Sequence, residues 1–266
     1  MNKWLVGLIL STFFFIGIVY SSNVHSLPTI KYFPIDEELS FQSVKTKLEL
    51  LPENNSDSAK ITWTCNSITD EVLYLRQDVS LLYKNGKFKG LQSKWEENTT
   101  SINLKETFPS NKESLYQAIS FHHGEIHDDE QIKSIQQMSS DELYVDAPST
   151  ALKEKINQET QNELLQNWDY LANSLKIDLD SYVAVPLIDL NQYNNKSLPS
   201  LTKEQTDKII GQLWEGLYKN YIIPLAQNKE NKNPHYIPLV LFDKQKTHLI
   251  VIYELFGKKE KLIQQY

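Results

Sequence analysis

Disulfide bonds within the chain are excluded, because the sequence contains a single cysteine, Cys65. Exported eukaryotic domains often carry disulfides, whereas exported proteins of Gram-positive bacteria often do without them. If the chain is exported, its composition therefore favours a bacterial cell envelope. Ile61, Trp63 and Cys65 share one face of a predicted strand, which predicts a buried thiol.

Glycine and arginine are also scarce. The chain has 8 glycines, no Gly-x-Ser-x-Gly elbow and no glycine-rich phosphate loop, so the usual signatures of serine hydrolases and nucleotide-binding enzymes are missing. Arg76 is the sole arginine, the formal net charge is −7 and the pI is near 5.4. Nucleic acids and anionic membrane surfaces both attract a cationic face. We therefore expect no nucleic-acid partner and no enzymatic activity.

A long hydrophobic run is present near the start of the chain. Residues 4–20 contain no charged side chain, and as a helix they would extend about 25 Å, the lower end of what spans a bilayer core. Lys3 precedes the run and the next cation is Lys31, which predicts a cytoplasmic N-terminus. We expect residues 1–26 to form a transmembrane anchor or signal segment, with the bulk of the chain outside the cytoplasm.

Signal-peptidase cleavage is the alternative to a retained anchor, and it would release a secreted protein. Val19-Tyr20-Ser21 and Val24-His25-Ser26 match the small-residue pattern of cleavage sites only loosely. A lipid anchor would require a cysteine directly after the run, and none is there. The sequence thus favours a single-pass signal-anchor in the cell membrane.

The segment after the anchor is expected to be rich in β-strands. Residues 27–37 contain two prolines and predict an extended connector. Between residues 38 and 147, apolar and polar residues alternate with the period of half-buried strands. Asn85-Gly86 lies between two such runs and predicts a two-residue turn with positive φ at both positions. Further strands are expected at 113–127 and 132–146.

Residues 148–266 are expected to combine helices with short strands. Apolar residues recur at three- and four-residue intervals between Leu152 and Leu175, which predicts an amphipathic helix. A second helix is expected from the capping-box pattern Thr202-Lys203-Glu204-Gln205 to near Pro224. Pro186 interrupts a short strand between these helices, which places that strand at a sheet edge or a bulge.

The C-terminal part predicts a β-hairpin buried on both faces, because residues 236–242 and 248–256 are almost wholly apolar. Strands followed by helices and then strands indicate an α+β fold. The predicted architecture is a mostly antiparallel β region, two amphipathic helices and a buried C-terminal hairpin, behind an N-terminal hydrophobic helix. The regions 38–147 and 148–266 form either two units or one continuous domain.

The densest group of candidate metal ligands is His122, His123, Glu125 and His127. Imidazoles and carboxylates bind zinc, so zinc is the alternative cofactor. On a strand, however, His123 and His127 would lie about 13 Å apart, too far to share one ion. The spacing also departs from His-Glu-x-x-His. A polar strand end that runs into an acidic turn is the preferred interpretation.

One segment resembles a catalytic motif. Ser200-Leu201-Thr202-Lys203 resembles the Ser-x-x-Lys motif of penicillin-binding proteins and serine β-lactamases. Two further segments resemble the other motifs of that family: Tyr218-Lys219-Asn220 and Lys246-Thr247-His248. That family places a helical subdomain between its motifs, whereas here the intervening segment is short. His248 also replaces a glycine. We interpret Ser200 and Thr202 as helix-start residues and assign no catalytic residue.

Three functional hypotheses follow from the sequence. The first is a non-enzymatic accessory, regulatory or assembly factor that acts at the outer face of the membrane through protein contacts. The second is a metal-binding envelope enzyme or metal sensor centred on residues 122–130. The third is a module that binds cell-wall glycans through tryptophans, for which core packing is the competing role: Trp63, Trp95, Trp168 and Trp214.

Overall fold

The protein is described from a computed structural model, which covers residues 30–52, 59–128, 131–147, 150–152, 158–228 and 235–266. The predicted anchor at residues 4–20 and its two candidate cleavage sites lie outside the described residues. Within the ranges given, no helix has both the length and the apolar character needed to cross a membrane.

The predicted α+β class was wrong, because the chain is mostly β, with 56% of residues in strands and 24% in helices. The excess comes largely from very long strands in the first half of the chain, two of which contain 26 and 23 residues. A further strand, Lys258–Gln265, follows the predicted C-terminal hairpin. The strands are β1 (Phe41–Pro52), β2 (Ala59–Lys84), β3 (Lys87–Pro109), β4 (Ser114–His127), β5 (Ile132–Ala147), β6 (Thr150–Leu152), β7 (Tyr182–Pro186), β8 (Leu239–Asp243), β9 (His248–Leu255) and β10 (Lys258–Gln265).

The first sheet is antiparallel and curled, with the order β1-β2-β4-β5-β6 and with β3 also paired to β2. The first half of β2 pairs with β1 and its second half pairs with β4, with a register shift between Ile68 and Leu73 in the β2–β3 ladder. The curl brings β1 against β5, where Thr46 Oγ1 lies 2.6 Å from Ser139 Oγ. The concave side of this sheet therefore encloses an interior.

The predicted turn at Asn85-Gly86 and the predicted strands at 113–127 and 132–146 are confirmed. Asn85 and Gly86 have φ values of 48° and 74°, and β2 and β3 pair directly across them. Positive φ strains most side chains, so the Asn-Gly pair explains why the chain reverses here. Strands β4 and β5 pair along their whole length, close to the predicted 113–127 and 132–146.

Three helices occur in the described part of the chain: α1 (Gln158–Ser174), α2 (Lys203–Leu217) and α3 (Ile223–Gln227). Thr202 caps α2 in the predicted capping box with Gln205. The prediction that this helix ends near Pro224 was wrong, because a π-helical turn, Tyr218–Ile222, connects α2 to α3. Pro224 lies in the first turn of α3, where a missing N–H is tolerated.

The second sheet has the order β10-β9-β8-β7, so Pro186 lies in an edge strand, as predicted. β8 and β9 are almost completely buried, which confirms the buried hairpin. The main core lies between this sheet, α2 and the convex face of the first sheet, and there Trp214 stacks on Phe121 at a ring distance of 4.9 Å. Trp63, Trp168 and Trp214 are buried as predicted, but Trp95 is 46% exposed.

Candidate functional site

The four predicted metal ligands do not converge on one point. They all lie on β4, where successive side chains point to opposite faces of the sheet. His122 lies on the interior side, directly opposite Asp78 of β2, and its Nδ1 lies 2.9 Å from Asp78 Oδ2. The other three residues, His123, Glu125 and His127, lie on the opposite, outer face of the sheet. Strand periodicity thus separates His122 from the rest of the set.

On the outer face, Glu125 lies between the two other histidines. Its Oε2 lies 2.9 Å from His127 Nε2, and its Oε1 lies 3.6 Å from His123 Nε2. The His127 ring stacks on Tyr74 at 3.8 Å. The Glu125 carboxylate therefore contacts both imidazoles, and only the contact with His127 is within hydrogen-bond distance. Burial raises the pKa of Glu125, but the contacts with His123 and His127 outweigh it, and the net effect is a pKa below the usual value.

Glu125→Gln is expected to lower the free energy of unfolding at neutral pH by about 1–3 kcal/mol, because a charge-assisted contact is lost. A carboxyl whose folded-state pKa is depressed stabilises the protein above its unfolded pKa of about 4.3, and the effect disappears as the pH falls through the lower folded value. Urea unfolding at several pH values measures this. A difference between wild type and variant that persists unchanged at acidic pH would contradict the assignment.

On the interior face, His122 belongs to a buried polar network. Arg76 and Asp78 are both 0% exposed. Ser67 Oγ donates to Asp78 Oδ2 at 2.7 Å and accepts a hydrogen bond from Arg76, so one hydroxyl bridges the two charges. Thr69 accepts a second hydrogen bond from the guanidinium, at 3.3 Å. Ser67 therefore connects the guanidinium of Arg76 to the carboxylate of Asp78 inside the sheet.

A chain of hydroxyl groups continues the network from His122 across four strands. His122 Nε2 lies 2.8 Å from Ser139 Oγ, which lies 2.6 Å from Thr46 Oγ1. Thr46 Oγ1 in turn lies 2.5 Å from Ser120 Oγ, and Ser120 donates to Ser80 Oγ at 2.7 Å. Sequence analysis missed this network. The one available signal was that Ser80 and Ser120 each stand between two apolar residues of a predicted strand.

The residues Asp78, His122 and Ser139 follow one another in the order of an acyl-transfer triad. The geometry does not support that chemistry. His122 Nδ1 makes no hydrogen bond to the carboxylate despite the short distance, so Asp78 does not orient the imidazole as a triad requires. His122 is also completely buried. We assign no nucleophile here.

Three potential ligand atoms, from Cys65, Asp78 and His122, lie within 4.8 Å of one another. This group shares only His122 with the predicted set. Burial and the charge of Asp78 raise the pKa of the Cys65 thiol, whereas a metal binds the thiolate. The nearby Arg76 cation also opposes a second positive charge. Zinc binding stays an untested alternative: hydrogen bonds satisfy part of the network, but Arg76 Nε, Asp78 Oδ1 and His122 Nδ1 have no hydrogen-bond partner among the described residues.

A second candidate site is a cavity of about 340 Å³ on the outside of the curled sheet. We call it the Trp168 cleft. It lies between α1, the Asn85-Gly86 turn, strands β4 and β5, and the 3₁₀ segment Leu187–Asn194. Its lining residues are Gly86, Leu115, Gln117, Glu142, Gln161, Leu164, Leu165, Trp168, Pro186, Ile188, Asp189 and Ile237.

The polar groups of the Trp168 cleft are two carboxylates and two amides. Partial burial, and then the charge of Glu142, raise the pKa of Asp189 above its usual value. Gln117 Nε2 donates to Glu142 Oε2 at 3.5 Å. Among the described residues of this lining there is no serine, threonine, cysteine, histidine or lysine. These residues combine apolar walls with negative charge, a composition found in binding pockets.

The residues that resemble penicillin-binding proteins do not assemble into their site. Lys203 forms an exposed ion pair with Asp207, and no hydrogen bond with Ser200 is present. Ser200 Oγ instead accepts a hydrogen bond from Lys246 Nζ at 2.5 Å, on an exposed surface. The hydroxyl of Tyr218 is buried and accepts a hydrogen bond from Gln77. Thr202, as expected, acts as a helix cap.

Comparison with known proteins gives no family. No protein-family model and no curated protein matches the chain. A glycosyl hydrolase family 2 member from Bacteroides cellulosilyticus has a TM-score of 0.24 and 13% identity, and the match covers 39% of this chain and 15% of that one. A sporulation control protein from Bacillus subtilis has a TM-score of 0.13 and 11% identity, with coverage of 84% and 89%. Such low TM-scores carry no argument about fold or function.

Proposed function

We propose that this chain is a non-enzymatic accessory protein, held at the outer face of the cell membrane by residues 4–20, that acts by binding another protein. The observation that supports this most directly is the Trp168 cleft, whose described lining residues combine apolar walls with carboxylates and amides and include no nucleophile. Its volume of about 340 Å³ is at the lower end of the range of small-ligand pockets, so the proposed partner would insert a side chain rather than a larger segment.

A photo-crosslinking residue placed at Leu165 tests the proposal in the cells that make the protein. Leu165 lines the cleft and is 48% exposed. Ile68, at the bend of β2, is 43% exposed and serves as the matched control position. We expect one reproducible protein adduct from Leu165 and none of the same identity from Ile68. Failure to obtain a reproducible protein adduct from Leu165 would refute protein binding at the cleft.

The anchor is tested separately by the mass of the mature N-terminus and by membrane fractionation. A retained signal-anchor predicts an intact residue 4–20 segment in the membrane fraction. A mature chain that begins near residue 22 or 27 would instead show secretion after cleavage.

A further inference from the structure

We infer that the Trp168 cleft recognises a cationic side chain, lysine or arginine, that the partner protein presents beside an apolar residue. The inference rests on the proposed function and specifies its ligand chemistry. Glu142 and Asp189 meet the cation, and the apolar wall formed around Trp168 covers the aliphatic stem.

The charge of the cleft supports a cation. Among the residues described as its lining, two are acidic and none is basic. Lys87 follows the cleft residue Gly86 in the chain, but its ammonium group pairs with Glu163 at 2.7 Å. The charge of Glu142 also disfavours ionisation of Asp189. A cation between the two carboxylates relieves this repulsion, and the attraction is stronger here than in open water because the site is partly desolvated.

The walls of the cleft support an aliphatic stem next to that cation. Lysine and arginine place apolar methylene groups against apolar surfaces while their charged ends reach polar groups. The lining of the cleft offers this combination, because it includes the following apolar residues together with its two carboxylates: Leu115, Leu164, Trp168, Ile188 and Ile237.

The cleft is held in shape before a ligand binds. The indole Nε1 of Trp168 donates to the carbonyl oxygen of Ile237 at 2.8 Å, which fixes the ring against the start of β8. Glu163 of α1 accepts a hydrogen bond from Tyr236 at 2.9 Å, in addition to its pairing with Lys87. Because the walls need not be ordered on binding, little affinity is lost to conformational entropy.

The test combines the Leu165 crosslinker in the full-length protein with the double substitution Glu142→Gln and Asp189→Asn. The control is Glu97→Gln with Glu106→Gln, which removes the same charge from exposed positions on β3. We expect the cleft variant to reduce the yield of the partner adduct about tenfold or more, since charge-assisted hydrogen bonds are lost. The control variant should leave the yield unchanged. Thermal unfolding of both variants checks that each remains folded.

The outcomes separate this inference from the proposed function. An adduct that forms equally well in the cleft variant overturns the cation inference and leaves protein binding intact. Absence of any adduct from Leu165 in the otherwise unaltered protein refutes the proposed function, and the inference with it. Mass spectrometry of the crosslinked peptide gives an independent readout: a lysine or arginine adjacent to the crosslinked residue supports the inference, and a peptide without either contradicts it.

Discussion

Asp78→Asn is expected to lower the free energy of unfolding by about 3–5 kcal/mol, because the substitution removes the stronger of the two negative charges, Asp78 and Glu96, that stabilise the buried Arg76 guanidinium. Asparagine retains the shape of aspartate and an oxygen that can accept the hydrogen bond from Ser67. The expected loss of stability therefore results from the removed charge and not from a change in side-chain volume. Burial already lowers the pKa of the Arg76 guanidinium, and the charge of Asp78 opposes that shift. Urea denaturation of the full chain measures the effect.

The matched control for Asp78→Asn is the double variant with Arg76→Met, which removes both charges. It should lose less stability than Asp78→Asn alone, since no uncompensated charge remains. A double variant that is as unstable as the sum of both single variants would contradict charge pairing as the cause.

Repeating the urea denaturation in the presence of a chelator distinguishes a bound metal from a network held by hydrogen bonds alone. Our assignment predicts no stoichiometric zinc in the purified protein and no change in its stability with chelator. Stoichiometric zinc that is lost in Cys65→Ser would instead support a metal site at Cys65, Asp78 and His122.

Trp214→Ala is expected to destabilise the fold by about 3–5 kcal/mol, the usual range for truncation of a buried aromatic side chain. Trp214 is 0% exposed, stacks on Phe121 and places its Nε1 3.2 Å from the sulfur of Met138. These contacts join α2 to strands β4 and β5, so their loss leaves a cavity where the helix meets the first sheet. The free energy of unfolding from denaturant titrations checks the magnitude.

Trp95→Ala is the control, because Trp95 has the same side chain at 46% exposure. A surface substitution of this kind usually changes stability by less than about 0.5 kcal/mol. Trp214→Phe should lie between the two, since it keeps an aromatic ring against Phe121. If Trp95→Ala and Trp214→Ala lower the free energy of unfolding by similar amounts, the stacking of Trp214 on Phe121 is not a principal contact of the core.

The candidate sites were only partly predictable from the sequence. The sequence showed His122, His123, Glu125 and His127 as one group, and strand periodicity already disfavoured a shared ion. It did not show that Asp78 would lie opposite His122, because that pairing depends on the register between β2 and β4. The Trp168 cleft was also missed, since Glu142 and Asp189 lie on separate elements and no local motif connects them.

Local chemistry in the sequence determined the Asn85-Gly86 turn, the capping box at Thr202, the edge position of Pro186 and the buried C-terminal hairpin. Each depends on the conformational preferences or hydrophobicity of a few neighbouring residues. Tertiary structure decided the mostly β class, the curl that buries Arg76 with Asp78, and the faces on which the histidines lie. These features depend on which strands pair and in which register, and such long-range contacts leave no periodic signal in the sequence.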